Sequence, residues 1–330
     1  MSIHPRVSVL MAAYNAAEYV EESVRSVLDQ TFGDFEFLAL DDGSGDGTFE
    51  VLASISDSRV RAFRHPHMGL TRSLMRGLSL AKGEFVARQD ADDLSCPARL
   101  ERQVAYMDAH PEVALVGSGV TVVSRDGRFR RDYLYPAAHE GLAAELEQIA
   151  NPLPHTTIMF RREIVMDCGG YRETFPKAQD YDLYLRLMTK CRLASIPEPL
   201  CRLLYSMDSF TSDNEGVQFR CAVLAYVAWR VGQESGVDPL ESSSREDFLR
   251  RFGEWYETSA YSRIFGSRQL RRRGRLAWAE RDIPQAIRCL WTAFRVEPGW
   301  LARNLGIAGA GSVPSEAVRW ARAWRPAGGN

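Results

Sequence analysis

The sequence predicts an α/β fold: a mixed, mostly parallel sheet flanked by helices, followed by a helical C-terminal extension. Three observations predict it. Through the first 90 residues, short apolar runs of strand length alternate with amphipathic segments of helical spacing. Strands that alternate with helices in this way pair in parallel, with the helices covering the sheet. After about Ser206 the strand signal fades and helical periodicity takes over. With 45% hydrophobic and 25% charged residues, the chain has the material for a sizeable core.

Residues 7–11 are the first apolar run, and a helix over 18–30 follows, with Val20, Val24, Val27 and Leu28 on one stripe. The second run, 35–40, is stopped by Asp41-Asp42-Gly43-Ser44. A helix is expected over 48–56, a strand over 60–64 and a helix over 70–81, closed by Gly83 with positive φ. A fourth strand covers 85–88. Pro97 marks the start of a helix that ends near Ala109, before Pro111. Residues 113–124 read as a strand, with Asp126-Gly127 turning the chain toward another near 129–135. Helices over 140–149, 162–168 and 180–189 are interspersed with short strands at 157–160, 193–196 and 200–205, the last two set off by Pro197 and Pro199. Helices over 216–235, 244–265 and 268–308 complete the chain.

This organisation divides the chain into a body, 1–205, and a helical region, 206–330, suited to a cap, a membrane-surface contact or a partner contact. Residues 245–330 carry 16 Arg against 8 Asp and Glu, so a basic tail follows an acidic body. Its Arg-rich stretch, 268–275, is either a solvated helix face or a surface for anionic lipid headgroups. Residues 277–298 resemble one helix-turn-helix unit of a tetratricopeptide repeat, whereas stable arrays need about three.

The formal net charge of -2 gives no reason to expect a nucleic-acid partner. Six scattered Cys, none in a C-x-x-C pair, read as reduced thiols rather than a zinc or redox site. The N-terminal residues lack the layout of a signal peptide, and no run approaches 18 apolar residues. A cytoplasmic address, at most at the inner face of a membrane, is the expectation. P-loop, H-E-x-x-H and G-x-S-x-G motifs are absent.

The chemistry-bearing residues gather where an open parallel sheet binds ligands, at the carboxyl ends of its strands. Asp41 and Asp42 end the second strand; Asp90, Ala91, Asp92 and Asp93 follow the fourth; Asp180 opens a later helix. Carboxylates so close repel unless a cation or hydrogen-bond donors lie between them. Asp90-Ala91-Asp92 has the spacing for Mg²⁺ or Mn²⁺, held by one or two carboxylates plus substrate phosphates. The same tripeptide also suits a turn in which Asp93 or Ser95 caps the next helix.

In order, the stretches VSVLMAAYNAAEYVEESVRSVLDQTFGDFEFLALDDGS, GLSLAKGEFVARQDADDLSCPARLERQV and HTTIMFRREIVMDCGGYRETFPKAQDYDLYLRL resemble glycosyltransferase family 2, inverting enzymes of GT-A fold. The resemblance implies a nucleotide pocket lined by Ala12 and Tyr14, with Asp42 facing the base, Asp41 beside it, and Gly69 giving the donor close approach to backbone. It implies that Asp90 and Asp92 are the metal pair, Asp92 the closer ligand, with Ala91 between them at the donor, and that Asp180 is the catalytic base. Gly169, Gly170 and Tyr171 would border the acceptor, and His155 would lie near the diphosphate or acceptor. The donor would be a UDP-, GDP- or dTDP-sugar, and the acceptor a glycan or lipid-linked hydroxyl. Three positions depart from the family pattern: Gln179 where Glu is frequent, His67-Met68 where Asn often precedes Gly69, and Met75 in place of a common Asn. A nucleotidyltransferase would usually show a Gly-rich basic loop where this chain has Ala12-Ala13-Tyr14-Asn15. A catalytically silent glycan-binding or scaffolding module would keep the fold and forgo the chemistry.

Overall fold

A computed structural model describes residues 4–124, 130–205, 212–259, 261–262 and 314–324. The chain forms two compact units, Met1–Ser209 and Phe210–Asn330.

The first unit is built on one nine-stranded mixed sheet. It opens as the sequence predicts. β1 (Val7–Ala13), β2 (Phe35–Asp41), β3 (Val60–Arg64) and β4 (Phe85–Gln89) alternate with α1 (Val20–Leu28), α2 (Thr48–Ser54) and α3 (Leu70–Leu80). These strands pair in parallel, β2 between β3 and β1, and β4 on the other side of β1. All residues of β1, β2 and β4 are buried, which explains their near-continuous apolar runs. Helix α1 seats Val20, Val24 and Val27 against this core, and α4 (Arg99–Ala109) adds Leu100, Val104 and Met107.

Beyond β4 the sheet becomes mixed. The path runs on through β8 (Met159–Arg161), β6 (Val113–Ser124), β9 (Arg192–Tyr205) and β5 (Leu94–Ser95), while among the described residues β7 (Arg130–Tyr133) pairs with β6 alone. Helices α5 (His139–Leu146), α6 (Arg162–Asp167) and α7 (Gln179–Met188) are interposed.

Four local expectations change. Pro197 and Pro199 do not split the last strand: β9 is continuous, and a register shift against β6 places Pro199 opposite Gly119 directly after the Ile196–Ser118 pair. The bulge there leaves Pro197 and Glu198 out of the register, so Pro197, which cannot donate to a ladder, fills no rung. Gly83 does not have positive φ. Ala81 ends α3 in an extended conformation, and glycine at 83 is required because a Cβ would lie 2.5 Å from the Ser8 amide nitrogen of β1. The helix after Pro97 starts at Arg99, with Ala98 at its cap position and no side-chain cap, so neither Asp93 nor Ser95 caps it. The two-residue β5 had no periodicity to announce it. The Asp126-Gly127 turn lies outside the described residues.

In the second unit, α8 (Ser212–Ser235), α9 (Arg245–Thr258) and α10 (Pro314–Ala323) are described. Its core is aromatic, with the Phe248 ring 5.6 Å from both Trp320 and Trp324. The expected helix at 268–308, with its Arg-rich stretch at 268–275 and the repeat-like segment 277–298, lies outside the described residues. Among the described residues no helix is long and apolar enough to cross a membrane.

Candidate active site

Strand order reverses between β1 and β4, which leaves a crevice at their carboxyl ends. A cavity of about 590 Å³ opens there. Ala12, Tyr14, Asp42, Gly69, Asp90, Ala91 and Asp92 line it together with Asn15, His67 and Lys177. These residues come from the connections after β1, β2, β3 and β4 and, for Lys177, from the loop before α7, all remote in sequence.

Asp42 organises one wall. Its buried carboxylate accepts the Met68 and Gly69 amides, each at 2.9 Å, and lies 3.0 Å from His67 Nδ1. The carboxylate thereby closes the 65–69 loop onto the end of β2. Gly69, at φ +90° and ψ 157°, occupies a conformation open essentially to glycine alone as the chain enters α3. His67 in turn stands beside the half-exposed Tyr14, ring centroids 4.3 Å apart, as an aromatic pair at the cavity mouth. Asp41 points elsewhere. Fully buried, it accepts the Ser44 amide at 3.3 Å and pairs with Arg64 Nε at 3.4 Å, so it holds the turn and does not line the cavity.

The opposite wall is the acidic loop after β4. Ser23 Oγ lies 2.8 Å from the Asp90 carbonyl and 2.7 Å from that of Asp93, and Gln89 Nε2 donates to the Asp93 carbonyl at 2.6 Å. The loop backbone is therefore fixed from below. Arg88 is fully buried and forms an ion pair with Asp90. Desolvation, and next the charge of Asp90, raises the Asp92 carboxyl above the ordinary range. Asp93 is pushed up further by burial, then by Asp90 and Asp92.

This donor set fits a divalent cation only in a shared site. Among the described residues no group of three or more His, Cys, Asp or Glu side chains could hold a metal by itself. Asp90 has one oxygen committed to Arg88, and Asp92 adds a carboxylate whose repulsion with Asp90 a cation would relieve. Two such carboxylates completed by substrate phosphates are a familiar arrangement for Mg²⁺ and serve Mn²⁺ equally.

A second group does not line this cavity. Asp180 is the second residue of α7, half-buried, and Asn151 Nδ2 donates to its Oδ2 at 2.7 Å. Desolvation raises its pKa; the Tyr181 amide and Asn151 oppose the rise, and the charge of Asp90 adds to it. Asp180 and Asp90 therefore share one electrostatic environment. His155 Nε2 and Tyr171 Oη are hydrogen-bonded at 2.9 Å. Burial, and then Arg88, holds the imidazole well below its usual range, so His155 is neutral, while burial pushes the Tyr171 phenol up. Gly169 and Gly170 do not line the cavity. A Cβ on Gly170 would lie 2.6 Å from Met75 Sδ, and its carbonyl accepts Arg186 Nη2 at 2.6 Å, so this turn packs against α3 and α7.

Three residues of this region escaped the sequence reading. A charged residue inside a strand that is otherwise apolar was the available signal for Arg88. Asn151 and Lys177 sit in loops with no periodicity, and only the folded chain brings them to Asp180 and to the cavity.

Comparison with known proteins bears on this site. The family model described as Glycosyl transferase family 2 matches residues 8–169. EpsE, a candidate glycosyltransferase of Bacillus subtilis, is 33% identical over 238 residues, covering 70% of this chain and 84% of its own. The O-antigen biosynthesis glycosyltransferase WbnJ of Escherichia coli is 32% identical, covering 56% of this chain and 72% of its own. Among solved structures, TarS 1-349 of S. aureus in complex with UDP-GlcNAc superposes with a TM-score of 0.57 at 18% identity, over 96% of this chain and 90% of that one. That likeness confirms the GT-A-type fold.

Proposed function

The chain belongs to glycosyl transferase family 2, and from that premise we propose that it moves a sugar from a nucleoside-diphosphate sugar to an acceptor hydroxyl with inversion. The acceptor class we infer is a glycan or lipid-linked glycan, in assembly of a surface polysaccharide or glycolipid. Two relatives are named for O-antigen and amylovoran biosynthesis, which supports that class.

The observation that carries the reading is the convergence of the loops after β1, β2, β3 and β4 on one cavity at the switch point. The Tyr14–His67 pair and the Asp42-held loop suit a base and ribose, and the acidic loop suits a diphosphate bound through a cation. Mg²⁺ or Mn²⁺ held by Asp92 and Asp90 would supply charge neutralisation for the departing diphosphate. Lys177 in the cavity wall adds a positive charge for the same phosphates. An acceptor hydroxyl is a weak nucleophile, so a carboxylate within hydrogen-bond reach must take its proton as attack proceeds. Asp180 fills that role in this reading, steadied by Asn151 and the Tyr181 amide. With one base and no carboxylate nucleophile, displacement inverts the anomeric centre. The test is proton NMR of the product of an α-linked donor, which should be β; an α product would overturn the inverting assignment.

Asn151 yields a pH prediction. Its hydrogen bond stabilises the charged form of Asp180, and the base works only when charged. The transfer rate falls as pH drops through the raised pKa of Asp180. Asn151→Ala removes a group that lowers that pKa, so the acid limb of the rate profile should move to higher pH. An unmoved limb would show that Asn151 does not act on the base.

A further inference from the structure

Arg88 carries a positive charge inside β4, two residues before Asp90, and it is fully buried. Its backbone is held firmly. The amide donates to the Ile158 carbonyl at 2.9 Å, and the carbonyl accepts Arg99 Nη2 at 2.6 Å. At the guanidinium, Nη1 donates to the carbonyls of Gln89 and Leu10, and Nη2 makes the ion pair with Asp90 Oδ1. Nε has no hydrogen-bond partner among the described residues. A cation anchored in this way cannot swing aside when another cation approaches Asp90.

Two opposing influences therefore meet at the acidic loop. Asp90 and Asp92 line the cavity and attract a divalent cation. Against them stands a fixed positive charge, which also occupies one of the Asp90 oxygens. Its repulsion is already felt nearby. After burial, the charge of Arg88 is what holds the His155 imidazole below its usual range. Lys177 in the cavity wall adds a second positive charge. Among the described residues, no three His, Cys, Asp or Glu side chains could hold a metal without an outside ligand. A diphosphate brings both missing parts, oxygen ligands and enough negative charge to outweigh Arg88.

We propose that Arg88 is a positioning residue that denies the acidic loop to a free divalent cation and makes cation binding wait for the diphosphate. It acts through Asp90, by engaging one carboxylate oxygen, and through space, by its charge. Coupling between two ligands is reciprocal, so the cation strengthens nucleotide binding by the same factor. Loss of the diphosphate after transfer then also releases the cation and clears the site for the next donor. This use rests on the function proposed above; the effect of Arg88 on the free cation does not.

The experiment is titration of the full chain with Mn²⁺ alone, read by electron paramagnetic resonance, and then with Mn²⁺ and excess UDP, GDP or dTDP. The wild type should bind Mn²⁺ weakly by itself and much more tightly with one of the diphosphates. Arg88→Met should tighten binding of Mn²⁺ alone by roughly tenfold or more, the scale of one unit charge near a partly buried site. It should also shrink the further strengthening by the diphosphate, whose oxygens replace what the freed Asp90 oxygen now supplies. Asp92→Ala added to Arg88→Met should abolish the gain, which locates it at this loop. Circular dichroism checks folding. Where Arg88→Met fails to fold, Arg88→Gln, neutral and still able to donate to the Leu10 carbonyl, decides by the same comparison. Unchanged or weaker binding of Mn²⁺ alone in the neutral variant would overturn the proposal, as would wild-type binding of Mn²⁺ alone as tight as with diphosphate. Failure of all three diphosphates to bind would instead strike the proposed function, and the comparison with Mn²⁺ alone would still decide the role of Arg88.

Discussion

Asp180→Asn should lower the transfer rate by about 10²–10⁴-fold, the usual contribution of a positioned general base, while nucleotide binding stays near the wild-type value. The substitution keeps shape and hydrogen-bonding capacity but removes the proton acceptor. The split between turnover and binding follows from placement. Asp180 does not line the cavity that would hold the donor, and it senses the acidic loop only through the charge of Asp90. Single-turnover kinetics alongside calorimetric titration of the nucleotide would read both quantities. Equal losses in both would identify Asp180 as a donor-binding residue instead.

Two residues further along the same helix, Asp182→Ala should cost about 3–5 kcal/mol of stability, the range for opening a buried ion pair from one side. Asp182 is buried between Arg172 and Arg186, accepting Arg172 Nε at 3.0 Å and Arg186 Nη2 at 2.9 Å. Arg186 also donates to the carbonyls of Cys168 and Gly170. Removing the carboxylate takes the shared counter-charge from two guanidinium groups with little access to water and loosens the turn that carries Tyr171. Urea denaturation should show the loss, and a change below about 1 kcal/mol would show that water or relaxation compensates. Neighbouring acids would thus fail in opposite ways, Asp180 in rate and Asp182 in folding.

The difference between these acids is legible in sequence only in part. Helical spacing and strand alternation disclose β1 to β4 and the helices between them, because their core is local and periodic. The same reasoning breaks at β5, which is two residues long, and at β9, where two prolines announce an end that a bulge avoids. Resemblance led to the cavity residues, since each follows a strand and the switch point collects strand ends. Asp41 shows the limit. It adjoins Asp42 in sequence, but alternation along a strand sends neighbouring side chains to opposite faces, one to the loop at the cavity and the other to the Ser44 turn. Asn151 and Lys177 depend on tertiary placement, which no local pattern encodes, whereas Arg88 is marked as a charge inside an apolar strand.

Calorimetric titration with UDP, GDP and dTDP, each with and without Mn²⁺, asks whether this cavity binds a nucleoside diphosphate through its acidic loop. One diphosphate should bind tightly and more tightly with Mn²⁺, and Asp92→Ala should abolish the strengthening. If no diphosphate binds under either condition, the cavity is not a donor site, and the chain keeps the fold of its family without the chemistry.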